Sequence, residues 1–114
     1  MNGPRQSLSV ILPAYNEELS LEGQVREVVA YLQARDIPFE IIIVDDGSTD
    51  GTGRIAEHLA ATLPEVKTLR HPRNQGYGWS LRDGFAEARN EFIFFTDSDR
   101  QFDINNLDVL YPLM

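Results

Sequence analysis

The sequence predicts a three-layer α/β domain, a Rossmann-like and mostly parallel sheet with helices on both faces, on two observations. Strand-like and helix-like apolar patterns take turns along the chain, and four polar clusters fall where strand-like runs end. Such alternation implies parallel strands joined by right-handed crossovers. In sheets of this kind ligands sit outside the carboxyl ends of the strands, where strand order reverses. Pro13 to Glu17, Asp45 to Asp50, His71 to Gly78 and Asp97 to Asp103 should therefore share one rim.

The elements follow in order. Leu8 to Leu12 is a short apolar run and gives the first strand; Leu21, Val25, Val28, Val29 and Leu32 then recur at helical spacing until Asp36 and Pro38 close the segment. Phe39 to Val44 is a nearly continuous β-branched run, as expected for a strand buried on both faces. Ile55, Leu59 and Leu63 mark a second helix ended by Pro64, and Val66 to Leu69 is a weaker third strand. A third helix starts near Asn74 to Gly78 and carries Leu81, Phe85 and Ala88 inward, ahead of a fourth strand at Phe92 to Phe95. Leu107, Leu110 and Leu113 outline a last helix.

Size and charge narrow the function. At 114 residues, 1–114 form a single domain with a core but without room for a second. There is no cysteine, hence no disulfide framework and no thiolate metal site, in keeping with a reducing compartment. A formal charge of -8 argues against nucleic-acid binding, which calls for a basic stripe, and means that phosphate is repelled unless a cation intervenes. No stretch approaches the roughly twenty apolar residues of a membrane span, and Met1 to Ser7 lacks the apolar region of a signal peptide. The chain as given reads as cytoplasmic.

Two acidic segments carry most of the chemistry: Asp45-Asp46-Gly47-Ser48 and Asp97-Ser98-Asp99, each at the end of an apolar run. Crowded carboxylates are costly unless a metal, a sugar hydroxyl or a base edge shares them, which points to a ligand with phosphates, a sugar and a divalent ion. The turn after the first strand reads Pro-Ala-Tyr-Asn-Glu where a dinucleotide fold needs G-x-G-x-x-G, and no G-x-x-x-x-G-K-[ST] occurs. Plainer readings stand beside these. Asp46 to Asp50 can be a turn with helix caps, Asp97-Ser98-Asp99 a solvated turn, and Tyr15 a lid on the core edge. Asn74 reads as the cap of the third helix, with the neighbouring glycines able to bring amides near a diphosphate. His58 and His71 read as surface residues, and Arg82 as a partner of Asp45, of Asp83 or of a phosphate.

The segments VILPAYNEE, EIIIVDDGSTDGT, NQGYGWSLRDGF and FIFFTDSDRQFD, in this order, resemble the nucleotide-sugar-binding half of the GT-A glycosyltransferases, specifically the inverting family numbered two. Asp97-x-Asp99-x-Gln101 is similar to the pattern of dolichyl- and polyprenyl-phosphate sugar synthases, although Arg100 departs from it. The resemblance implies transfer of a hexose from a UDP- or GDP-sugar to a lipid phosphate, with Mg²⁺ or Mn²⁺ and with a peripheral place at the cytoplasmic face of a membrane. It implies donor contacts at Pro13, Tyr15, Glu17, Val44, Asp46, Asp97 and Ser98, with Tyr15 against the base and Asp46 accepting from the base edge. It implies a metal shell of Asp97, Asp99 and Gln101. The family's base and acceptor residues lie downstream of the D-x-D element, so the chain is expected to be an amino-terminal piece whose catalytic residues fall beyond Met114. Phe92 to Phe95 is then expected at a sheet edge, where it would drive self-association. A sugar nucleotidyltransferase and a noncatalytic nucleotide-sugar-binding module are the alternatives.

Overall fold

The computed structural model describes residues 7–89 and the backbone of 92–95. Seven elements follow one another: β1 (Leu8–Ala14), α1 (Leu21–Ala34), β2 (Phe39–Asp46), α2 (Thr52–Thr62), β3 (Val66–His71), α3 (Tyr77–Glu87) and β4 (Phe92–Phe95). The expected last helix and the whole D-x-D segment lie outside the described residues.

The four strands are parallel and run in the order β3-β2-β1-β4. The chain steps outward from β1 to β3, then crosses back to the far side of β1. Strand order therefore reverses at β1, and a crevice is expected at its carboxyl end. The described β1–β4 pairing runs from Leu8 to Ile11. Pro13, which has no amide hydrogen to give to a ladder, comes after it.

Strand periodicity divides the core in two. Leu8, Val10, Leu12, Ala14, Ile41 and Ile43 face α1 and α2, packing with Leu21, Val25, Val28, Leu32, Ala56 and Leu59. Ile11, Ile42 and Val44 point the other way and pack with Leu69, Leu81 and Ala88. Both faces of the central strands are covered, which is why β1 and β2 read as unbroken apolar runs. Among the described residues no helix is long and apolar enough to cross a membrane.

Three expectations change. The strands run further than their apolar residues: β1 reaches Ala14, β2 reaches Asp46 and β3 reaches His71. Asp45 and Asp46 pair in register with Arg70 and His71, so charge pairing extends a ladder that β propensity alone would have ended. Leu81 of α3 and Ala88 just after it pack inward, but Phe85 is 40% exposed and the buried positions of the helix are Ser80 and Gly84. A Cβ on Gly84 would lie 2.4 Å from Ile11 Cγ2, so the helix comes too near β1 for a larger side chain. Asn74 is not the cap of α3, which begins at Tyr77 with Gly76 in the capping position.

One buried carboxylate organises the amino-terminal end of the sheet. Glu40 on β2 accepts from Ser9 Oγ of β1 at 2.6 Å and from the Arg89 amide after α3 at 2.7 Å, and pairs with Lys67 Nζ of β3 at 2.7 Å. Burial pushes the Glu40 carboxyl up, but the bonds from Lys67, Ser9 and the Arg89 amide, with the Lys67 charge, hold it below its ordinary value.

Candidate functional site

At the carboxyl ends of β1, β2 and β3 three loops meet. Asn16 takes a left-handed conformation (φ 53°), which turns its side chain onto the loop after β2. Its Oδ1 accepts from the amides of Thr49 (2.8 Å) and Asp50 (3.4 Å), while its own amide donates to Ser48 Oγ (2.9 Å). The Glu17 amide donates to Thr52 Oγ1 at 2.7 Å, and the Gly51 amide to Glu18 Oε1 at 3.0 Å. Asp50 accepts from the Thr52 amide in the first turn of α2 (2.9 Å). Much of Asp46-Gly47-Ser48-Thr49-Asp50 thus fastens two loops together, where the plainer reading of that segment is a turn with helix caps; the cap position of α2 is Gly51, which has no side chain to cap with. Gly47 serves the third loop: at φ +74°, its added Cβ would fall 2.3 Å from the Arg73 carbonyl carbon. A side chain there would push the loop after β3 off the site.

Asp45 and Asp46 are not the crowded pair that their adjacency implies. Side chains alternate across a strand, so the two carboxylates point to opposite faces of the sheet. Asp45 lies on the α2 side, where its Oδ1 accepts from the Ser48 amide (3.1 Å), its Oδ2 is 3.7 Å from Arg70 Nε, and Gly53 leaves it room. Asp46 lies on the α3 side. Its Oδ1 accepts from His71 Nδ1 (2.7 Å) and from the Gln75 amide (2.9 Å), and its Oδ2 from the Gly76 amide (2.9 Å). A carboxylate offers about four acceptor positions, and three are taken up among the described residues. Burial would raise the Asp46 carboxyl; the bonds from His71, Gln75 and Gly76 and the histidine charge hold it below its ordinary value.

His71 is the residue that sequence reasoning missed. It is buried, not a surface residue, and its Nε2 meets Asp83 Oδ2 of α3 at 2.6 Å while Nδ1 meets Asp46. Burial disfavours its charged form, but hydrogen bonds to Asp46 and Asp83 and their charges outweigh that and raise its pKa above the ordinary value. The signal was present in the sequence: an acidic dipeptide, Asp45-Asp46, ends one strand and a basic one, Arg70-His71, ends the next. Arg82 stacks over the Trp79 ring at 4.7 Å.

These parts enclose a cleft of about 340 Å³ lined by Pro13, Ala14, Tyr15, Glu17, Asp46, Asn74, Gly76, Tyr77 and Ser80. The structure therefore brings Pro13, Tyr15, Glu17 and Asp46 together. Tyr15 and Tyr77 are each 44% exposed, so two aromatic side chains of the cleft are open to solvent. Val44 stands apart from them: it is fully buried in the apolar cluster beneath α3. Asp97, Ser98, Asp99 and Gln101 lie outside the described residues, as does any cation shell they form. Among the described residues no group of three histidines and carboxylates is placed to hold a metal ion.

The sequence model of glycosyl transferase family 2 matches residues 9–114. The chain belongs to this family. Among its family 2 relatives, a dolichyl-phosphate beta-glucosyltransferase of Trichomonas vaginalis is 34% identical over 105 residues, covering 88% of this chain and 31% of the relative. Two solved structures superpose on the fold. The mannosyltransferase PcManGT of Pyrobaculum calidifontis, in complex with GDP-Man and Mn²⁺, gives a TM-score of 0.72 at 30% identity over 84% of this chain and 28% of that one. S. aureus TarS 1-349 in complex with UDP-GlcNAc gives 0.70 at 32% identity over 94% and 30%. The fold is that of the GT-A glycosyltransferases, and this family 2 chain spans about a third of the length of the curated relatives it matches.

Proposed function

We propose that this chain is the donor-binding half of an inverting hexosyltransferase, which takes the sugar of a UDP- or GDP-hexose to a polyprenyl or dolichyl phosphate with the help of Mg²⁺ or Mn²⁺. The observation that carries the reading is the cleft at the point where strand order reverses, lined by half-exposed Tyr15 and by Asp46, three of whose roughly four acceptor positions are taken up among the described residues. The GDP-Man and Mn²⁺ of one structural neighbour, the UDP-GlcNAc of another and the dolichyl phosphate in the names of relatives support the donor, ion and acceptor classes.

Each residue has a part in the reading. Tyr15 stacks on the base and Asp46 accepts from its edge, with Pro13 and Glu17 shaping the nucleoside side of the cleft. Asp97 and Ser98 are the remaining donor contacts of this reading, and Asp97, Asp99 and Gln101 would hold the cation. When bound, the cation neutralises charge developing on the leaving nucleoside diphosphate. A lipid phosphate is already largely ionised near neutral pH, its second pKa being about 6, so attack from that acceptor calls for no protein base.

Calorimetry with UDP-glucose and GDP-mannose tests the reading directly. Binding is expected in Mn²⁺ and lost in chelator, and Asp99→Ala should weaken it about a hundredfold, the effect of removing several kcal/mol of charge neutralisation. Equal affinity in Mn²⁺ and in chelator overturns the metal assignment; no binding of either donor overturns the function.

A further inference from the structure

His71 has no part in the reading above, yet its setting is that of a working group. It ends β3, is 6% exposed, and presents each ring nitrogen to a different carboxylate, Asp46 at 2.7 Å and Asp83 at 2.6 Å. Ionised carboxylates only accept, so two contacts this short need a hydrogen on both nitrogens. The ring that satisfies both is the imidazolium. A neutral ring must give up one partner, and Asp83, with its side chain 41% exposed, can turn to water where buried Asp46 cannot.

Asp46 in turn fixes the wall of the cleft. Its two oxygens hold the Gln75 and Gly76 amides, which form the turn into α3, and that turn carries the cleft residues Asn74, Gly76 and Tyr77. The other charged groups near the ring do not replace its proton. Arg70 of β3 is on the opposite face beside Asp45, Arg73 of the following loop is exposed, Arg82 of α3 is stacked on Trp79, and Glu17 of the first loop adds a negative charge to the same cleft.

We propose that His71 and Asp83 are positioning residues for nucleotide-sugar binding: Asp83 keeps His71 an imidazolium, and the imidazolium keeps the Asp46 wall in place with a net charge that an anionic donor tolerates. Loss of that proton doubles the net negative charge of the Asp46-His71-Asp83 chain, beside a ligand that brings a diphosphate of its own. The inference rests on the donor-binding reading given above and names residues through which that site acts.

The test is the affinity of the full chain for UDP-glucose and GDP-mannose in Mg²⁺ between pH 5.5 and 9. A sugar-linked diphosphate has no monoester group titrating near pH 6, and its base N–H ionises only at the alkaline end of the range, so a transition near neutral pH belongs to the protein. The His71 midpoint is read separately by NMR of the ring, with His58, exposed on α2, as the reference within the same chain. Affinity should fall about tenfold as pH rises through the His71 midpoint, the effect of one nearby charge on an anion. Asp83→Asn should move that fall to lower pH by about one unit. His71→Asn, which keeps a donor towards Asp46 without a charge, should bind weakly with a flat profile.

Affinity that ignores pH across the measured midpoint, or variants that keep the wild-type profile, overturns this inference and leaves the donor-binding reading intact. Failure of the wild-type chain to bind either donor at any pH overturns both. If His71→Asn unfolds the chain, the Asp83→Asn profile still decides, because the Asp83 side chain is 41% exposed, is not among the residues lining the cleft and bonds to His71.

Discussion

Asp46 shows how much one side chain can be asked to do. It receives three hydrogen bonds from its own chain before any ligand arrives. Asparagine has one oxygen fewer and would set an amide hydrogen against a backbone N–H, so Asp46→Asn should cost about 1–3 kcal/mol of stability, read as a lower urea midpoint with unchanged slope. The same variant should weaken a nucleotide sugar more than ribose 5-phosphate, which lacks the base. Stability should also follow pH through this residue and its neighbour. His71, raised above its ordinary 6.5, stabilises the fold fully below pH 6.5 and loses that contribution as pH rises through its folded value. Asp46, held below its ordinary 3.8, stabilises it above pH 3.8 and loses that contribution as pH falls through its folded value. Thermal midpoints of the wild-type chain, less those of His71→Asn, should therefore be highest between these two limits. The site was legible in the sequence to the extent that it lay at strand ends and just beyond them: Pro13, Tyr15, Glu17 and Asp46 share the cleft. Its histidine is legible only when two strand ends are read together, Asp45-Asp46 with Arg70-His71; taken alone, a His carries no sign of the carboxylates that reach it from β2 and α3.

At the scale of elements, order and type follow from apolar periodicity, while ends and depths do not. Charged residues end an apolar pattern but need not end a strand, as the paired Asp46 and His71 show. Likewise a small residue is silent in a hydrophobic pattern, so the face of α3 that carries Ser80 and Gly84 was passed over in favour of Phe85. The tightness of that packing is open to measurement. Gly84→Ala should destabilise by about 1–3 kcal/mol through overpacking against Ile11, and by less in an Ile11→Ala background, so that a double-mutant cycle returns a favourable coupling. Additive effects of the two changes would place the strain elsewhere.

For the molecule as a whole, β4 is the end strand of the described sheet, beside β1, and its four residues, Phe92 to Phe95, carry no charge. An apolar end strand is a template for another chain, so the 114-residue protein should self-associate in sedimentation experiments, and Phe94→Lys should shift it towards monomer. A wild-type chain monomeric at high concentration would mean that this edge is covered. The strand order has one more consequence, in the time before the protein is finished. β1 is flanked by β2 on one side and by β4 on the other, and β4 begins 84 residues after β1, at Phe92 against Leu8. A ribosome adding about 5–20 residues per second needs ~4–17 s to make that stretch. For those seconds the most apolar strand of the nascent chain has one side with nothing to bind, and holding it quiet falls to whatever meets the polypeptide at the exit tunnel.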